Sequence, residues 1–265
     1  MPEANGTEAE WFERDAPFRL VSASGVMAGA MSLNRLPLAQ LEAQADEVLS
    51  PLEAARLTDR LAPRRRHSFL AGRRAAKQAL RHLLPSAAAR DFHVLPGVLE
   101  QPVVSGPGVS NLQVTLSHTG TLAVALAHPE ACPMGVDLEQ LSPEHRPVLR
   151  EQAGAREQAL AMTALDLDED RRLLLLWCLK EALSKALRCG LTVPFDLLEV
   201  ATLDPAPSGA RARFSNFGQY EGFAFCRGDL CLAAVLPHTV QWLGANGTEP
   251  VTTLAAWLGA AAPAA

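Results

Sequence analysis

An α+β fold of two similar halves is what the sequence predicts, each half with one long helix packed on a small, mostly antiparallel sheet and the two related by a pseudo-twofold axis. Three observations predict it. Two long helical segments, residues 64–84 and 168–190, stand in different halves of the 265-residue chain. Short β-prone runs bounded by Gly and Pro follow each helix. The two sets also repeat: Ala79-Leu80-Arg81 recurs 107 positions on as Ala186-Leu187-Arg188, and at the same spacing Arg73 falls on Lys180. The run from Leu122 to Pro129 recurs 108 positions on, from Leu230 to Pro237. Agreement of a helix and a later strand within one residue points to a duplicated unit.

The polar residues 1–15 are expected to be without structure, and they are not a signal peptide. Residues 17–30 read as a strand followed by a Gly-rich turn, and 37–57 as loosely helical. Residues 64–84 form a helix stopped by Pro85. Residues 112–118 and 122–128 are two strands joined at Thr119-Gly120-Thr121. A linker at 129–133 leads to an extended segment, 134–139. After helical residues 143–165, the 168–190 helix carries acids in its first turn and Gly190 at its end. Strand-like pieces follow at 197–203, 211–217, 222–226 and 230–236. The expected division is an N-terminal half at 16–130, a C-terminal half at 131–240 and an extension at 241–265, whose Ala-rich end from Leu254 reads as an ornament.

Composition narrows the function. With 48% hydrophobic and 20% charged residues, the chain can bury one large core or two smaller ones. A net charge of −5 argues against general nucleic-acid binding. No run of about 18 apolar residues is present to span a membrane. Five cysteines without a Cys-x-x-Cys pair are those of a reduced, cytoplasmic protein.

Four constellations carry chemistry. In the extended run Gly135-Val136-Asp137-Leu138-Glu139, the two acids point one way and the two apolar side chains the other, into a core. Adjacent carboxylates repel unless a cation lies between them, and hard oxygen ligands suit Mg²⁺. On the second helix Trp177, Glu181 and Lys185 share a face, while Lys180 lies about 100° away beside an apolar stripe, awkward there unless an anion meets it. Ser117-His118 ends a strand before a Gly turn, a place that can hold phosphate oxygens. On the first helix Arg66, Arg73 and Lys77 cluster on an otherwise acidic protein, with Arg73 near the core-facing side. Alone, each is an ordinary surface feature. Together they put three carboxylates beside a set of cations, the equipment of phosphoryl transfer without a P-loop or kinase loop.

The pair formed by Gly135-Val-Asp-Leu-Glu139 and Trp177-Cys-Leu-Lys-Glu-Ala-Leu-Ser-Lys185 resembles the signature of the phosphopantetheinyl transferase superfamily. Leu116-Ser117-His118-Thr119 and Phe69-Leu-Ala-Gly72-Arg73 are similar to that family too, and the length and duplicated halves resemble its monomeric, surfactin-type branch. The resemblance implies transfer of the 4'-phosphopantetheine arm of coenzyme A to a serine of an apo acyl or peptidyl carrier protein, releasing 3',5'-adenosine bisphosphate. It implies Mg²⁺ held by Asp137, Glu139 and Glu181, with Glu181 also the base. Lys180 and Lys185 would stabilise the pyrophosphate and leaving group. Ser117 and His118 would contact coenzyme phosphates, and Arg73, with Arg66, the 3'-phosphate. Many members have Gly-Lys-Pro where this chain has Glu100-Gln101-Pro102, so that lysine's contact is missing or supplied elsewhere. Residues 140–170, where the family touches its carrier, match poorly. A coenzyme A-binding scaffold without catalysis and a metal-dependent phosphohydrolase stand as the alternative readings.

Overall fold

Two strands, Leu122–Pro129 and Leu230–Pro237, are apolar at nearly every position, and the fold buries both of their faces. A computed structural model describes residues 11–206, 209–244 and 247–261. The strands are β1 (Phe12–Ser22), β2 (Gly25–Arg35), β3 (His93–Pro96), β4 (Pro102–Ser105), β5 (Leu112–Thr119), β6 (Leu122–Pro129), β7 (Gly135–Gln140), β8 (Val200–Ala206), β9 (Gly209–Phe214), β10 (Tyr220–Arg227), β11 (Leu230–Pro237) and β12 (Gln241–Gly244). The helices are α1 (Leu38–Ala43), α2 (Ala45–Val48), α3 (Pro51–Ala54), α4 (Pro63–Leu83), α5 (Arg146–Gln152), α6 (Ala155–Ala164), α7 (Glu169–Leu187) and α8 (Pro250–Ala261).

One antiparallel sheet has the order β12-β1-β2-β6-β5, a second β7-β11-β10-β9-β8, and β3-β4 form a separate ribbon. The two large sheets pack face to face. Leu33, Leu122, Val124 and Leu126 of the first meet Val136, Leu138, Phe225 and Leu232 of the second in one core. On the outer faces, Ala123, Ala125 and Ala127 lie under α4, and Cys231, Ala233 and Val235 under α7. Burial on both sides explains why β6 and β11 read as continuous apolar runs rather than alternating ones. Small residues on the outer faces let each helix approach its sheet closely. Pro63 sits in the first turn of α4, and the Asp168 side chain caps α7 by accepting from the Arg171 amide.

The α+β prediction of two helix-on-sheet halves holds, and three of the expected boundaries do not. The strand β1 starts at Phe12, inside the segment expected to be unstructured; the rest of that expectation, residues 1–10, lies outside the described residues. The Gly-rich stretch 25–30 is not a turn but the start of β2, where Gly29 pairs with Phe18. A methyl group at Gly29 would stand 2.1 Å from the Phe18 ring, so glycine makes room for the aromatic across the hairpin. The tail is no ornament. Its strand β12 pairs with β1, and α8 inserts Leu254 and Leu258, both fully buried, into the core between the sheets. Each such leucine contributes about 1.5–3 kcal/mol by burial. Residues 262–265 lie outside the described residues.

Candidate active site

The strands β5 and β7 are the adjoining edges of the two large sheets, and side chains rather than a backbone ladder join them. The Thr115 hydroxyl accepts from the Val136 amide at 3.1 Å, and the Ser117 hydroxyl donates to Asp137 Oδ1 at 2.9 Å. As the alternation requires, Val136 and Leu138 enter the inter-sheet core while Asp137 and Glu139 face the α7 side. Gly135 makes the closeness of α7 possible. A Cβ there would stand 1.8 Å from the Ala182 carbonyl oxygen, so any other residue would push the helix off the strand. That contact brings Glu181 and Lys185, one turn apart on α7, up to the two acids of β7.

The electrostatics are those of a crowded carboxylate site. Asp137 is buried, and its Oδ1 takes both the Ser117 hydroxyl and the Lys185 ammonium, the latter at 2.7 Å. Its Oδ2 has no hydrogen-bond partner. Burial, followed by the neighbouring Asp137, pushes Glu139 and Glu181 up to about 7 each. Burial opposes the charge of Lys185, but Asp137, Glu181 and Glu139 more than offset it, and its pKa lies above the ordinary lysine value. At the end of β5, His118 is held below its ordinary value by desolvation and then by Lys185.

Among the described residues, no three His, Cys, Asp or Glu side chains are grouped as a ready-made metal site, and Lys185 sits where an ion would neutralise Asp137. The donor set nevertheless fits a divalent cation. All three groups are hard oxygen donors, one carboxylate oxygen is buried and orphaned, and burial together with the charge of Asp137 holds the other two carboxyls above their ordinary range, so a bound cation would favour their ionised forms.

A cavity of about 750 Å³ opens beside this cluster. Glu181, Ser184, Lys185 and Arg188 at the end of α7 form one wall, and Arg56 and Arg73 belong to the other. Phe69, Leu116 and Met134 add apolar surface between them. Arg73 stacks over Phe69 at 4.7 Å and faces Glu53 at 3.4 Å. Burial, outweighing Glu53, lowers its pKa below the ordinary arginine value.

Two of the residues predicted for the site are elsewhere. Lys180 lies on another face of α7, buried, and donates to Glu157 at 2.6 Å and to the Gln152 carbonyl at 2.8 Å. The anion that its position demanded is a side chain of the protein. Arg66 pairs with Glu42 and does not line the cavity. The Ser117 hydroxyl is engaged by Asp137, so it positions a carboxylate and is not free for a phosphate. The structure adds Arg56, Arg188 and Ser184 to the cavity, and Thr115 as the tie between the sheets.

The family-model match falls in the second half of the chain. Residues 133–235, which include Asp137, Glu139, Glu181 and Lys185, match the model of the 4'-phosphopantetheinyl transferase superfamily. A holo-(acyl-carrier-protein) synthase from Bacillus anthracis str. Ames, solved in complex with CoA (3',5'-ADP), is similar at 20% identity and a TM-score of 0.32. That similarity covers 42% of this chain and 96% of the other. No curated protein matches.

Proposed function

We propose, from the match of residues 133–235 to the model of the 4'-phosphopantetheinyl transferase superfamily, that the chain moves the 4'-phosphopantetheine of coenzyme A onto a serine of an apo acyl or peptidyl carrier protein. One observation carries the reading: Asp137, Glu139, Glu181 and Lys185 converge at the edge of a cavity whose two walls are both cationic.

In this reading Glu181 takes the proton of the carrier serine hydroxyl as its oxygen attacks the β-phosphorus. The new bond joins serine oxygen to phosphorus. The bond broken is that from phosphorus to the bridging pyrophosphate oxygen, and 3',5'-adenosine bisphosphate leaves with its electron pair. Lys185 stabilises the negative charge growing on that oxygen. Ser117 fixes the rotamer of Asp137. Arg73, on the opposite wall, binds the 3'-phosphate, and His118 faces the phosphates from the end of β5. Held by Asp137, Glu139 and Glu181, Mg²⁺ would supply charge neutralisation for the pyrophosphate. Five free thiols support action in a reducing compartment.

The test is incubation with coenzyme A, Mg²⁺ and a panel of apo carrier proteins, followed by intact mass. A carrier that gains one phosphopantetheine is the expected result. Release of free phosphopantetheine with an unmodified carrier would instead make the protein a phosphohydrolase. Binding of coenzyme A with no reaction on any carrier would make it a scaffold.

A further inference from the structure

Arg188 ends α7 in a left-handed backbone conformation, φ 57° and ψ 28°. Glycine or asparagine ordinarily takes that place, because a side chain there costs about 1–2 kcal/mol. The arginine is half-buried and lines the cavity. Among the described residues its guanidinium makes no ion pair and no side-chain hydrogen bond. The other cavity cations are accounted for: Lys185 pairs with Asp137, Arg73 faces Glu53, and Arg56 is exposed to solvent.

One turn earlier on the same wall, Ser184 is 1% exposed, and its hydroxyl has no partner. A strained cation without an acid and a buried hydroxyl without an acceptor thus flank Lys185 on one edge of one helix. All three are donors, and no protein acceptor meets two of them. The carbonyl end of a helix repels anions, so an anion bound there needs such cations. A phosphate offers the oxygens that a guanidinium and a hydroxyl take together.

We propose that Arg188 and Ser184 form a phosphate subsite beside Lys185, which holds the pyrophosphate of the nucleotide donor from the α7 wall. The proposal rests on the donor being coenzyme A. It divides the work of the cavity: Arg188 and Ser184 serve the pyrophosphate, and the Arg56–Arg73 wall serves the phosphate at the far end of the donor.

The experiment is calorimetric titration of coenzyme A and of dephospho-coenzyme A, with Mg²⁺ present, into the wild type, Arg188→Gly, Arg188→Asn and Ser184→Ala. Both replacements of Arg188 tolerate the left-handed conformation, so their melting temperatures should equal or exceed that of the wild type. The dissociation constants of Arg188→Gly should rise roughly tenfold to a hundredfold, by the same factor for both donors. Ser184→Ala should weaken both by a smaller common factor. Equal affinity of the wild type and both Arg188 variants for coenzyme A would leave the transferase reading intact and overturn this subsite. Weakening confined to coenzyme A would overturn the assignment to the pyrophosphate. A wild type that binds neither donor would refute the donor itself, and the subsite with it.

Discussion

The two halves share a framework and differ in charge. In the first, Lys77 of α4 is fully buried and pairs with Glu53, donates to the Val48 carbonyl, and leaves Glu53 to accept the Val94 amide. In the second, Lys180 of α7 pairs with Glu157, donates to the Gln152 carbonyl, and leaves Glu157 to accept the Val200 amide. Each glutamate also receives the backbone amide three residues before it, from Ser50 and from Gly154. The motif Lys77-Gln-Ala-Leu80 thus answers to Lys180-Glu-Ala-Leu183. Following the strands in the same way, Asp137 pairs with Ala233 as Ser32 pairs with Ala125, and Glu139 with Cys231 as Asn34 with Ala123. Where the second half has Asp137, Glu139, Glu181 and Lys185, the first has Ser32, Asn34, Gln78 and His82. The lysine–glutamate pair is architecture common to both; the acids belong to one half alone.

That contrast can be broken most severely at Glu181. Glu181→Gln copies Gln78 and removes the proposed base, so transfer should fall by about 10²–10⁴ with the fold retained. Near-normal turnover at saturating Mg²⁺ would remove Glu181 from that role. Next in size, Glu53→Ala and Glu157→Ala should each strand a buried lysine and cost about 3–5 kcal/mol in urea unfolding. Similar losses would confirm the equivalence. If Lys180→Met lowered coenzyme A affinity without lowering stability, Lys180 would belong to the site after all.

A third difference is His128, whose place in β11 is taken by Leu236. Burial holds His128 down at about 4, well below 6.5. Between those values the unfolded chain binds the extra proton, so this residue's contribution is full above pH 6.5 and is lost as pH falls toward 4. It amounts to about 3 kcal/mol. Glu139 and Glu181, raised to about 7, act with the opposite sign, their destabilisation easing as pH falls from 7. The test is therefore the difference between the wild type and His128→Leu. It should grow by that amount across the window, and a flat difference would show that His128 does not titrate differently on folding. Smallest is Arg73, opposite Leu176 in the second half. Arg73→Leu should raise KM for coenzyme A by roughly ten- to a hundredfold with kcat little changed. The KM for dephospho-coenzyme A should hardly move; an equal rise for both donors would detach Arg73 from the 3'-phosphate.

Much of this was legible in the residues, and the failures have physical causes. The α7 segment announced itself by its acids and periodicity, and the β7 acids by the alternation of a strand. Two helix-on-sheet halves are legible in the sequence repeat, but the sequence match sets the helices one turn out of register. Arg73 was set on Lys180, whereas the buried pairs match Lys77 to it. An alanine-rich helix repeats its own pattern every turn, so composition alone does not fix the register. Lys180 looked like a phosphate ligand because its true partner, Glu157, lies 23 residues away in sequence. The start of β2 reads as a turn because Gly29 makes room for the Phe18 ring, a contact that sequence does not display. Arg188 gave no signal, since its backbone conformation, not its neighbours in sequence, distinguishes it.

The pairing of β12 with β1 has a consequence for how the protein is made. The partner that closes the open edge of β1 is the most C-terminal of the described strands, so the N-terminal sheet waits with an unpaired edge through the synthesis of the second half. Such an edge is a template for other chains. It is paired only once β12, Gln241–Gly244, has been made. The step most exposed to aggregation is therefore the docking of the C-terminal segment. Shortening the chain before Gln241 should first show itself as loss of soluble yield rather than as loss of catalysis.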